Sequence, residues 1–356
     1  MIGIVIREMP FLKVLTPIIR EIHAAGAPYV LFYNIKAKPG KGYACPTLDK
    51  LKASAKDIVY NAQKVIAFSN NDQLVKQCVS NHIKKFVSLE VWLCDSKLHM
   101  KLRDKKIKMY SVQYLTDSLW QKKASIVTMD RVYFASKYIM DLHHEFSGAP
   151  FDSNRDKFLG CPLFDVIEPN NGSGDILVLT PNIRREHVGQ TFGSSKNFVK
   201  IIEKLSSSGN LIFKTRKKQW LPEEVKKYAK DIFDDGDIMY PSVAAKLLKG
   251  CHTTVLFYSS GIYESIMANN YVLNIAIPLD YMRWDKRKKK RYYQSGELYN
   301  FKGVIESVDQ ETILKPSWNF NAKQIAPERR RIWIKKFVGD YLPNSAKSIA
   351  EDIIRS

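Results

Sequence analysis

Short apolar runs alternate with amphipathic stretches along the first part of the chain and predict an α/β architecture. Residues 2–6 (IGIVI) are apolar without alternation, as is typical of a parallel strand covered on both faces. A helical pattern over 11–25 ends at Gly26, and an apolar run over 29–33 predicts the next strand. Further strand and helix patterns indicate an open, doubly wound sheet. They lie at 47–55, 57–59, 64–68, 72–80, 85–88 and 109–113, with a last strand within 125–135.

The composition of the sequence changes after residue 157. The segment FLGCPLFDVIEPNNGSGD is rich in Pro, Asn and Gly, which predicts an inter-domain linker. A second βα series follows, with strands at 176–180 and 210–214, helices at 197–206 and 222–232, and a compact unit at 254–278. Two amphipathic helices, at 327–341 and 345–355, come last.

These patterns predict two Rossmann-like, doubly wound domains that face a central cleft. The first domain covers 1–165, a linker covers 166–174, and the second domain covers 175–340. Residues 341–356 are expected to form a C-terminal helix, which could pack back on the first domain. Ligands of open α/β sheets bind beyond the carboxyl ends of the strands, so we expect the functional residues there.

The unit at 254–278 (TVLFYSSGIYESIMANNYVLNIAIP) reads as strand, turn, helix and strand. Its turn contains Ser259, Ser260 and Gly261, and a serine in this place can cap the helix. We expect free N–H groups and a partial positive charge at the helix start, which together suit a phosphate. Glu264, in the first turn, is expected to reach the sugar hydroxyls of a nucleotide. An ordinary βαβ unit with a capping serine is the alternative.

Composition and charge narrow the possible partners. The 356 residues are 45% hydrophobic and 26% charged, as in ordinary globular proteins, and the formal net charge is +20. Such an excess implies an anionic partner: a nucleic acid, an anionic membrane face or a phosphate-rich substrate. The five cysteines are scattered without a CxxC pair, and the N-terminus lacks a signal-peptide pattern. We therefore expect a cytoplasmic protein, with peripheral contact at the inner membrane face as one possibility.

Two further segments are candidates for binding a nucleotide. Lys214 and Arg216 follow a predicted strand directly, where cations would neutralise a diphosphate. Tyr240, Ser242 and Val243 precede a predicted helix, and this loop is a candidate to lie against the base. The alternative for Lys214 and Arg216 is a solvated basic turn, and the alternative for 240–243 is a plain helix start.

Candidate groups for the acceptor lie mainly in the first half of the chain. Glu8, after the first strand, and Asp117, after the strand at 109–113, are rival general bases, while Arg7 is a candidate acceptor contact. Each could equally be a surface charge or a helix cap. His187, close to two arginines, is a candidate to contact phosphate or an acceptor.

A strongly basic run at 283–291 is followed by two tyrosines. Arg287 and Lys288 in this run are candidates to contact anionic lipid or acceptor, and a solvated loop is the alternative. The sequence shows no RNP, helix-turn-helix or zinc-finger pattern, which argues against a nucleic-acid partner.

Several nucleotide and hydrolase motifs are missing from the sequence. It contains no Walker A motif, no GxGxxG after the first strand and no GxSxG, which argues against NTPases, simple dehydrogenases and α/β-hydrolases. The acidic stretch 234–237 is interpreted as a surface turn rather than a DxD metal-binding triplet. We therefore expect neither a metal nor a cofactor.

Taken together, the two Rossmann-like series, the cations after a strand and the Ser-Ser-Gly turn with its following glutamate resemble the GT-B glycosyltransferase superfamily. The N-terminal run also resembles the opening of the UDP-N-acetylglucosamine 2-epimerases, in which a G-T-R-P-E turn follows the first strand. The positions that match loosely are Arg7, Glu8, Lys13 and Pro17, the strand at 130–136 and the segment at 160–165.

The resemblance implies that the first domain, 1–165, lies on the acceptor side and that the second, 175–340, binds a nucleotide sugar as donor substrate. It also implies a role for each matching position. Ser259, Ser260 and Gly261 would hold the donor diphosphate and Glu264 the ribose. Lys214 and Arg216 would add positive charge at the phosphates, and residues 240–243 would border the base.

The epimerase segment D-S-G-G-x-x-E-E is not matched, because Tyr258 and Ser265 stand where it has acidic residues. Transfer is therefore favoured over epimerisation. The sequence predicts a metal-independent glycosyltransferase that uses a nucleoside diphosphate or monophosphate sugar, a polysaccharide or glycolipid acceptor and a carboxylate of the first domain as base. The alternatives are an epimerase-like enzyme and a basic nucleic-acid-binding protein.

Overall fold

The computed structural model describes most of the chain, and its residues form two compact units. The described residues are 1–36, 45–89, 96–114, 126–172, 174–181, 191–215, 221–234, 240–277, 298–322, 325–340 and 342–356. The first unit consists of Met1–Val166, Asp237–Pro241 and Lys335–Ser356. The second consists of Ile167–Gly236 and Ser242–Ile334.

The first unit is built on a parallel sheet, for which seven strands are described in the order β3-β2-β1-β4-β5-β6-β7. The strands are β1 (Ile2–Ile6), β2 (Tyr29–Asn34), β3 (Lys64–Phe68), β4 (Lys85–Leu89), β5 (Lys108–Val112), β6 (Arg131–Phe134) and β7 (Asp156–Phe158). The helices are α1 (Leu12–Ala24), α2 (Leu48–Tyr60), α3 (Asn71–Ser80), α4 (Ser96–Asp104), α5 (Lys137–Ser147) and, from the end of the chain, α12 (Ser345–Arg355).

Local sequence signals account for several of these boundaries. All five residues of β1 are buried, as expected for a strand covered on both faces. The side chains of Thr47, Asn70 and Ser136 each accept an N–H three residues later and so cap α2, α3 and α5. The patterns at 47–55 and 57–59 belong to one helix, which is kinked at Ala55.

The C-terminal helix α12 packs against α1 in the first unit. Asp165 holds its start, because the carboxylate accepts the N–H groups of Ser345 at 3.2 Å and Ala346 at 2.7 Å. Lys85 holds its end, since Nζ donates to the carbonyl oxygens of Ile353 and Ile354, both at 2.7 Å. A carboxylate at the start and a cation at the end both complement the helix dipole.

The second unit is built on a second parallel sheet, for which six strands are described in the order β10-β9-β8-β11-β12-β13. The strands are β8 (Asp175–Leu179), β9 (Leu211–Lys214), β10 (Ala229–Phe233), β11 (Cys251–Leu256), β12 (Tyr271–Ala276) and β13 (Ile305–Asp309). The helices are α6 (Ser195–Ser206), α7 (Glu223–Lys226), α8 (Val243–Lys249), α9 (Gly261–Met267) and α10 (Gln310–Leu314). Helix α11 (Pro327–Phe337) runs across the boundary that follows Ile334.

The single helix predicted at 222–232 is wrong, because the structure has the short helix α7 and then the strand β10. In the described sheet β10 pairs only with β9, at the sheet edge, and most of its residues are exposed. An exposed edge strand keeps polar residues on both faces, so its sequence lacks the apolar run by which a buried strand is recognised.

Both sheets reverse their strand order once, between β1 and β4 in the first unit and between β8 and β11 in the second. Such a reversal opens a crevice beyond the carboxyl ends of the two strands, which is where ligands of this class of sheet bind. The predicted class, two doubly wound α/β domains, is confirmed. Within the described residues, no helix is long and apolar enough to span a bilayer.

Candidate functional site

Ser242 and Glu264, which are 22 positions apart in sequence, are joined by a hydrogen bond in the second unit. Ser242 caps α8, where its Oγ accepts the N–H of Ala245 at 3.1 Å. The same hydroxyl donates to Glu264 Oε1 at 3.1 Å. Both side chains are buried, with 5% and 9% of their surfaces exposed. A buried carboxylate is stable only when it is hydrogen-bonded, and here the capping serine supplies one of those bonds.

The turn before α9 differs from the expectation in one respect. Ser260 is the N-cap residue, but its side chain makes no capping bond. Instead Ser259 Oγ accepts the N–H of Gly261 at 3.2 Å, and the carbonyl oxygens of Ser259 and Ser260 accept the N–H groups of Ile262 and Tyr263. The prediction of free N–H groups at this helix start is therefore wrong for these three residues. The hydroxyls of Ser259 and Ser260, both half-buried, are the groups that could donate to a phosphate.

Gly261 lies directly against the end of β8, at the strand reversal of the second unit. A Cβ at this position would come within 2.3 Å of Leu179 Cδ1, so any larger residue would force the two elements apart. The absence of a Cβ lets α9 begin close to the neighbouring strand, and the predicted contact of Gly261 with the diphosphate stays a prediction.

Lys214 lies at the same edge of the sheet, as the last residue of β9. Its carbonyl oxygen accepts from both the N–H and the Oγ1 of Thr180, each at 3.2 Å, and this joins the ends of β8 and β9. Because all described strands of this sheet are parallel, Lys214 and the Ser259–Ser260 turn lie at one edge. The Lys214 side chain is half-buried.

Tyr240 belongs to the first unit, where Arg20 covers its ring. The Arg20 guanidinium lies 5.1 Å from the ring centroid, and NH1 donates to the tyrosine Oη at 3.5 Å. Arg20 also donates twice to Asp57, at 2.7 and 3.1 Å, and these bonds raise the pKa of Arg20 and lower that of Asp57. Burial raises the pKa of Tyr240, of which 7% is exposed. Val243 opens α8 and is half-buried.

Arg7 and Glu8 follow β1, at the strand reversal of the first unit. The Arg7 side chain donates to Asn71 Oδ1 at 3.3 Å. Glu8 precedes the short 3-10 helix Met9–Phe11, where its carbonyl oxygen accepts the N–H of Phe11 at 3.0 Å. Its carboxylate does not cap this helix and is half-buried. Both residues thus lie at the kind of position where a substrate contact was expected.

Five of the predicted site residues lie outside the described residues: Asp117, His187, Arg216, Arg287 and Lys288. Their roles stay predictions. Among the residues that the structure describes, no group of three or more His, Cys, Asp or Glu side chains could hold a metal ion.

Sequence reasoning missed the residues that hold the far end of α9. Arg330 Nε donates to the carbonyl oxygen of Ile266 and its NH2 to that of Met267, both at 2.8 Å. Trp333, which is fully buried, packs its ring 5.6 Å from that of Tyr263. The run PERRRIWIKKF predicted only an amphipathic helix, because nothing local in it shows which of its arginines is half-buried and bonded to α9.

No protein-family model and no curated protein matches the chain. Among solved structures, UDP-GlcNAc 2-epimerase from Neisseria meningitidis bound to UDP-GlcNAc matches with a TM-score of 0.60 and 11% identity, over 100% of both chains. The wall teichoic acid polymerase TagF matches with a TM-score of 0.62 and 10% identity, over 99% of this chain and 88% of that one. The glycotransferase of kitacinnamycin matches with a TM-score of 0.52 and 9% identity, over 99% and 94%.

Identities this low establish the fold alone. The chain shares the two-domain α/β fold of these solved structures, and the resemblance stated from the sequence is confirmed at the level of the fold. The same fold accommodates epimerases as well as transferases, so the reaction has to be argued from the site.

Proposed function

We propose that the protein is a metal-independent glycosyltransferase that takes its sugar from a nucleotide-activated donor. The observation that carries the proposal is the Ser242–Glu264 bond, close in the chain to the Ser259–Ser260 turn at the strand reversal of the second unit. Supporting it, solved structures of this fold include an epimerase with bound UDP-GlcNAc and a glycotransferase. The donor site in this proposal includes, among the described residues, Lys214, Tyr240, Ser242, Val243, Ser259, Ser260, Gly261 and Glu264; Arg216, outside them, is also assigned to it.

Glu264 is the residue best suited to bind a ribose. Its Oε1 accepts from Ser242, which fixes the orientation of the carboxylate, and Oε2 is a second acceptor that this bond does not use. A carboxylate accepting from vicinal hydroxyls forms charge-assisted bonds, which are about twice as strong as neutral ones. Glu264 therefore recognises the sugar of the nucleotide, and Ser242 acts by holding it in place.

The phosphates of the donor are bound by hydroxyls and cations. Ser259 and Ser260 donate their hydroxyl hydrogens, and Lys214 and Arg216 provide positive charge. The charge on the diphosphate grows as the sugar leaves, so these groups stabilise the transition state more than the ground state. The chemistry needs no metal ion in this scheme.

The acceptor is a polysaccharide or a glycolipid, and a carboxylate of the first unit, Glu8 or Asp117, removes the proton from its attacking hydroxyl. Arg7 and His187 contact the acceptor, and Arg287 with Lys288 contacts an anionic membrane surface at the cytoplasmic face. Residues 240–243 border the base.

An epimerase is the second candidate, because the UDP-GlcNAc 2-epimerase from Neisseria meningitidis matches over the whole of both chains. Two residues argue against an epimerase. Tyr258 and Ser265 stand at positions where the epimerase segment D-S-G-G-x-x-E-E has acidic residues. Transfer remains the better supported reaction.

The test starts with thermal unfolding in the presence of a panel of nucleoside diphosphates and nucleotide sugars, since a ligand that binds only the folded state raises the midpoint. The sugar nucleotide with the largest shift is then incubated with the protein and EDTA, with and without glycan acceptors. Released nucleoside diphosphate and an extended glycan support the proposal. A 2-epimer as product supports the second candidate, and a panel without any shift contradicts both.

A further inference from the structure

Tyr258, the residue before the two serines, has a backbone conformation that large side chains rarely adopt. Its φ is +49°, in the left-handed region that is normally left to glycine and asparagine. A conformation of this kind persists only where its surroundings enforce it, and such residues concentrate at functional sites.

Asn274 on β12 is one of the groups that enforce it. Asn274 Oδ1 accepts the N–H of Tyr258 at 3.0 Å, and Asn274 Nδ2 donates to Ser307 Oγ at 3.0 Å. The ring of Tyr258 also meets that of Tyr299 edge to face, with centroids 5.1 Å apart. Asn274 is fully buried on a strand, where asparagine is uncommon. A buried amide is costly unless it is hydrogen-bonded, so the two bonds account for an asparagine at this position.

The left-handed residue determines where the following serines lie. The chain turns at Tyr258, and Ser259 Oγ and the Ser259 carbonyl oxygen then accept the N–H groups of Gly261 and Ile262. Gly261 in turn presses against Leu179. A change in φ at Tyr258 would therefore displace both serine hydroxyls relative to the sheet.

We propose that Asn274 is a positioning residue of the donor site: it holds Tyr258 in the left-handed conformation and thereby sets the serine hydroxyls for the phosphates. The inference rests on the proposed function, because the phosphates are its ligand. The part that concerns Tyr258 and Asn274 alone can be tested on the protein without nucleotide.

That first test is a double-mutant cycle on the full chain, read by denaturant unfolding and by hydrogen exchange of the peptide that covers 256–268. Glycine adopts φ > 0 without steric penalty. In the Tyr258→Gly variant, residue 258 therefore no longer needs Asn274 to hold it in the left-handed conformation. Asn274→Ala is expected to speed exchange of the turn amides by about tenfold or more in the parent, and by roughly threefold or less in the Tyr258→Gly background. Equal effects in the two backgrounds would overturn the inference.

The second test measures the affinity for UDP, CDP, GDP and ADP by titration calorimetry. We expect Asn274→Ala to weaken the binding of the preferred diphosphate by about tenfold, and to raise the donor KM more than it lowers kcat. Asn274→Asp keeps an acceptor for the Tyr258 N–H but buries a charge. It should therefore lose stability while retaining affinity within roughly threefold of the parent.

Asn270 supplies a matched control. Asn270 is also a fully buried asparagine, and its Nδ2 donates to the carbonyl oxygen of Cys251 at 2.8 Å. It lies just before the start of β12, at the opposite end of that strand from the carboxyl edge. Asn270→Ala should lower the unfolding midpoint and leave the affinity for the diphosphate unchanged. A loss of affinity equal to that of Asn274→Ala would overturn the positioning role. If the parent binds none of the four diphosphates, the proposed donor site fails, and the cycle on Tyr258 and Asn274 still decides whether the pair enforces the turn.

Discussion

Ser242 Oγ donates a 3.1 Å hydrogen bond to Glu264 Oε1, and the two residues belong to different helical elements of the second unit. Ser242 caps α8 and Glu264 lies in the first turn of α9. One hydroxyl thus both starts a helix and fixes a buried carboxylate. The proposed recognition of ribose follows from this arrangement, because a carboxylate with one oxygen held in place presents the other in a defined direction.

Replacement of Glu264 by alanine should weaken nucleotide binding. The variant loses the acceptor for the ribose hydroxyls and leaves the Ser242 hydroxyl without its carboxylate partner, so we expect a loss of about 10- to 100-fold in affinity. Titration calorimetry with the preferred nucleoside diphosphate checks it. Glu203→Ala, an exposed glutamate on α6, is the control. Unchanged affinity in Glu264→Ala would remove Glu264 from the donor site.

Gly261→Ala should destabilise the second unit by about 1–3 kcal/mol, because the new Cβ would lie 2.3 Å from Leu179 Cδ1. Denaturant unfolding measures the change. Gly174→Ala is the matched control, since a Cβ there meets nothing within 4 Å. In a Leu179→Ala background the alanine at 261 should be tolerated better than in the parent. Additive losses in the double variant would show that the two residues do not compete for the same space.

Asp165 should make the fold more stable as the pH falls from 7 to 4. Burial raises the pKa of this carboxyl to about 6 against the opposing effect of the N–H groups of Ala346 and Ser345, whereas its ordinary value is 3.8. A group whose folded pKa is raised stabilises the fold fully below the unfolded pKa and loses that contribution as the pH rises through the folded value.

Unfolding free energies of the parent and Asp165→Asn at pH 7, 5.5 and 4.5 test this expectation. The difference between the two should move in favour of the parent as the pH falls, because the asparagine cannot take up a proton. Asp104→Asn, at an exposed position at the end of α4, serves as the control. A difference that stays constant over this range would show that Asp165 is not protonated there.

Asp156 should show the opposite dependence. Burial would raise its pKa, but His144 at 3.1 Å and Arg155 at 2.7 Å outweigh this and lower the pKa to about 2 from 3.8. Its contribution is therefore present above pH 4 and disappears as the pH falls towards 2. Asp156→Asn should cost about 3–5 kcal/mol near neutral pH, because it leaves the buried Arg155 without its carboxylate.

Acid titration of the unfolding free energy, from pH 7 to 3, measures this difference. The gap between the parent and Asp156→Asn should narrow below pH 4. Asp141→Asn, on the exposed side of α5, controls for the loss of one surface carboxylate. A gap that widens on acidification would contradict the assignment of Asp156 as a carboxylate stabilised by its neighbours.

The sequence predicted the two parallel sheets because buried parallel strands leave a strong local signal. Apolar runs such as those of β1 and β11 need no knowledge of their partners to be recognised. Once the strands are parallel, residues such as Lys214 and Ser259 must lie at the same edge. This is why separate segments could be placed at one edge of the sheet without a structure, while their joint role as a donor site stays a proposal.

The edge strand β10 and the conformation of Tyr258 could not be predicted in this way. The exposed residues of β10 carry no periodic apolar signal, and their strand state depends on pairing with β9. Tyr258 has a local preference against φ > 0, and the contacts that hold the observed value come from distant residues, among them Asn274, 16 positions later. Likewise, the Arg20–Tyr240 contact joins residues 220 positions apart, which no local pattern encodes.

A crystal structure of the protein with the nucleoside diphosphate that gives the largest thermal shift tests the central claim most directly. We expect the β-phosphate within hydrogen-bond distance of the Ser259 or Ser260 hydroxyl, and the ribose hydroxyls within the same reach of Glu264. A nucleotide bound elsewhere in the molecule, with Glu264 contacting only Ser242, would contradict the account.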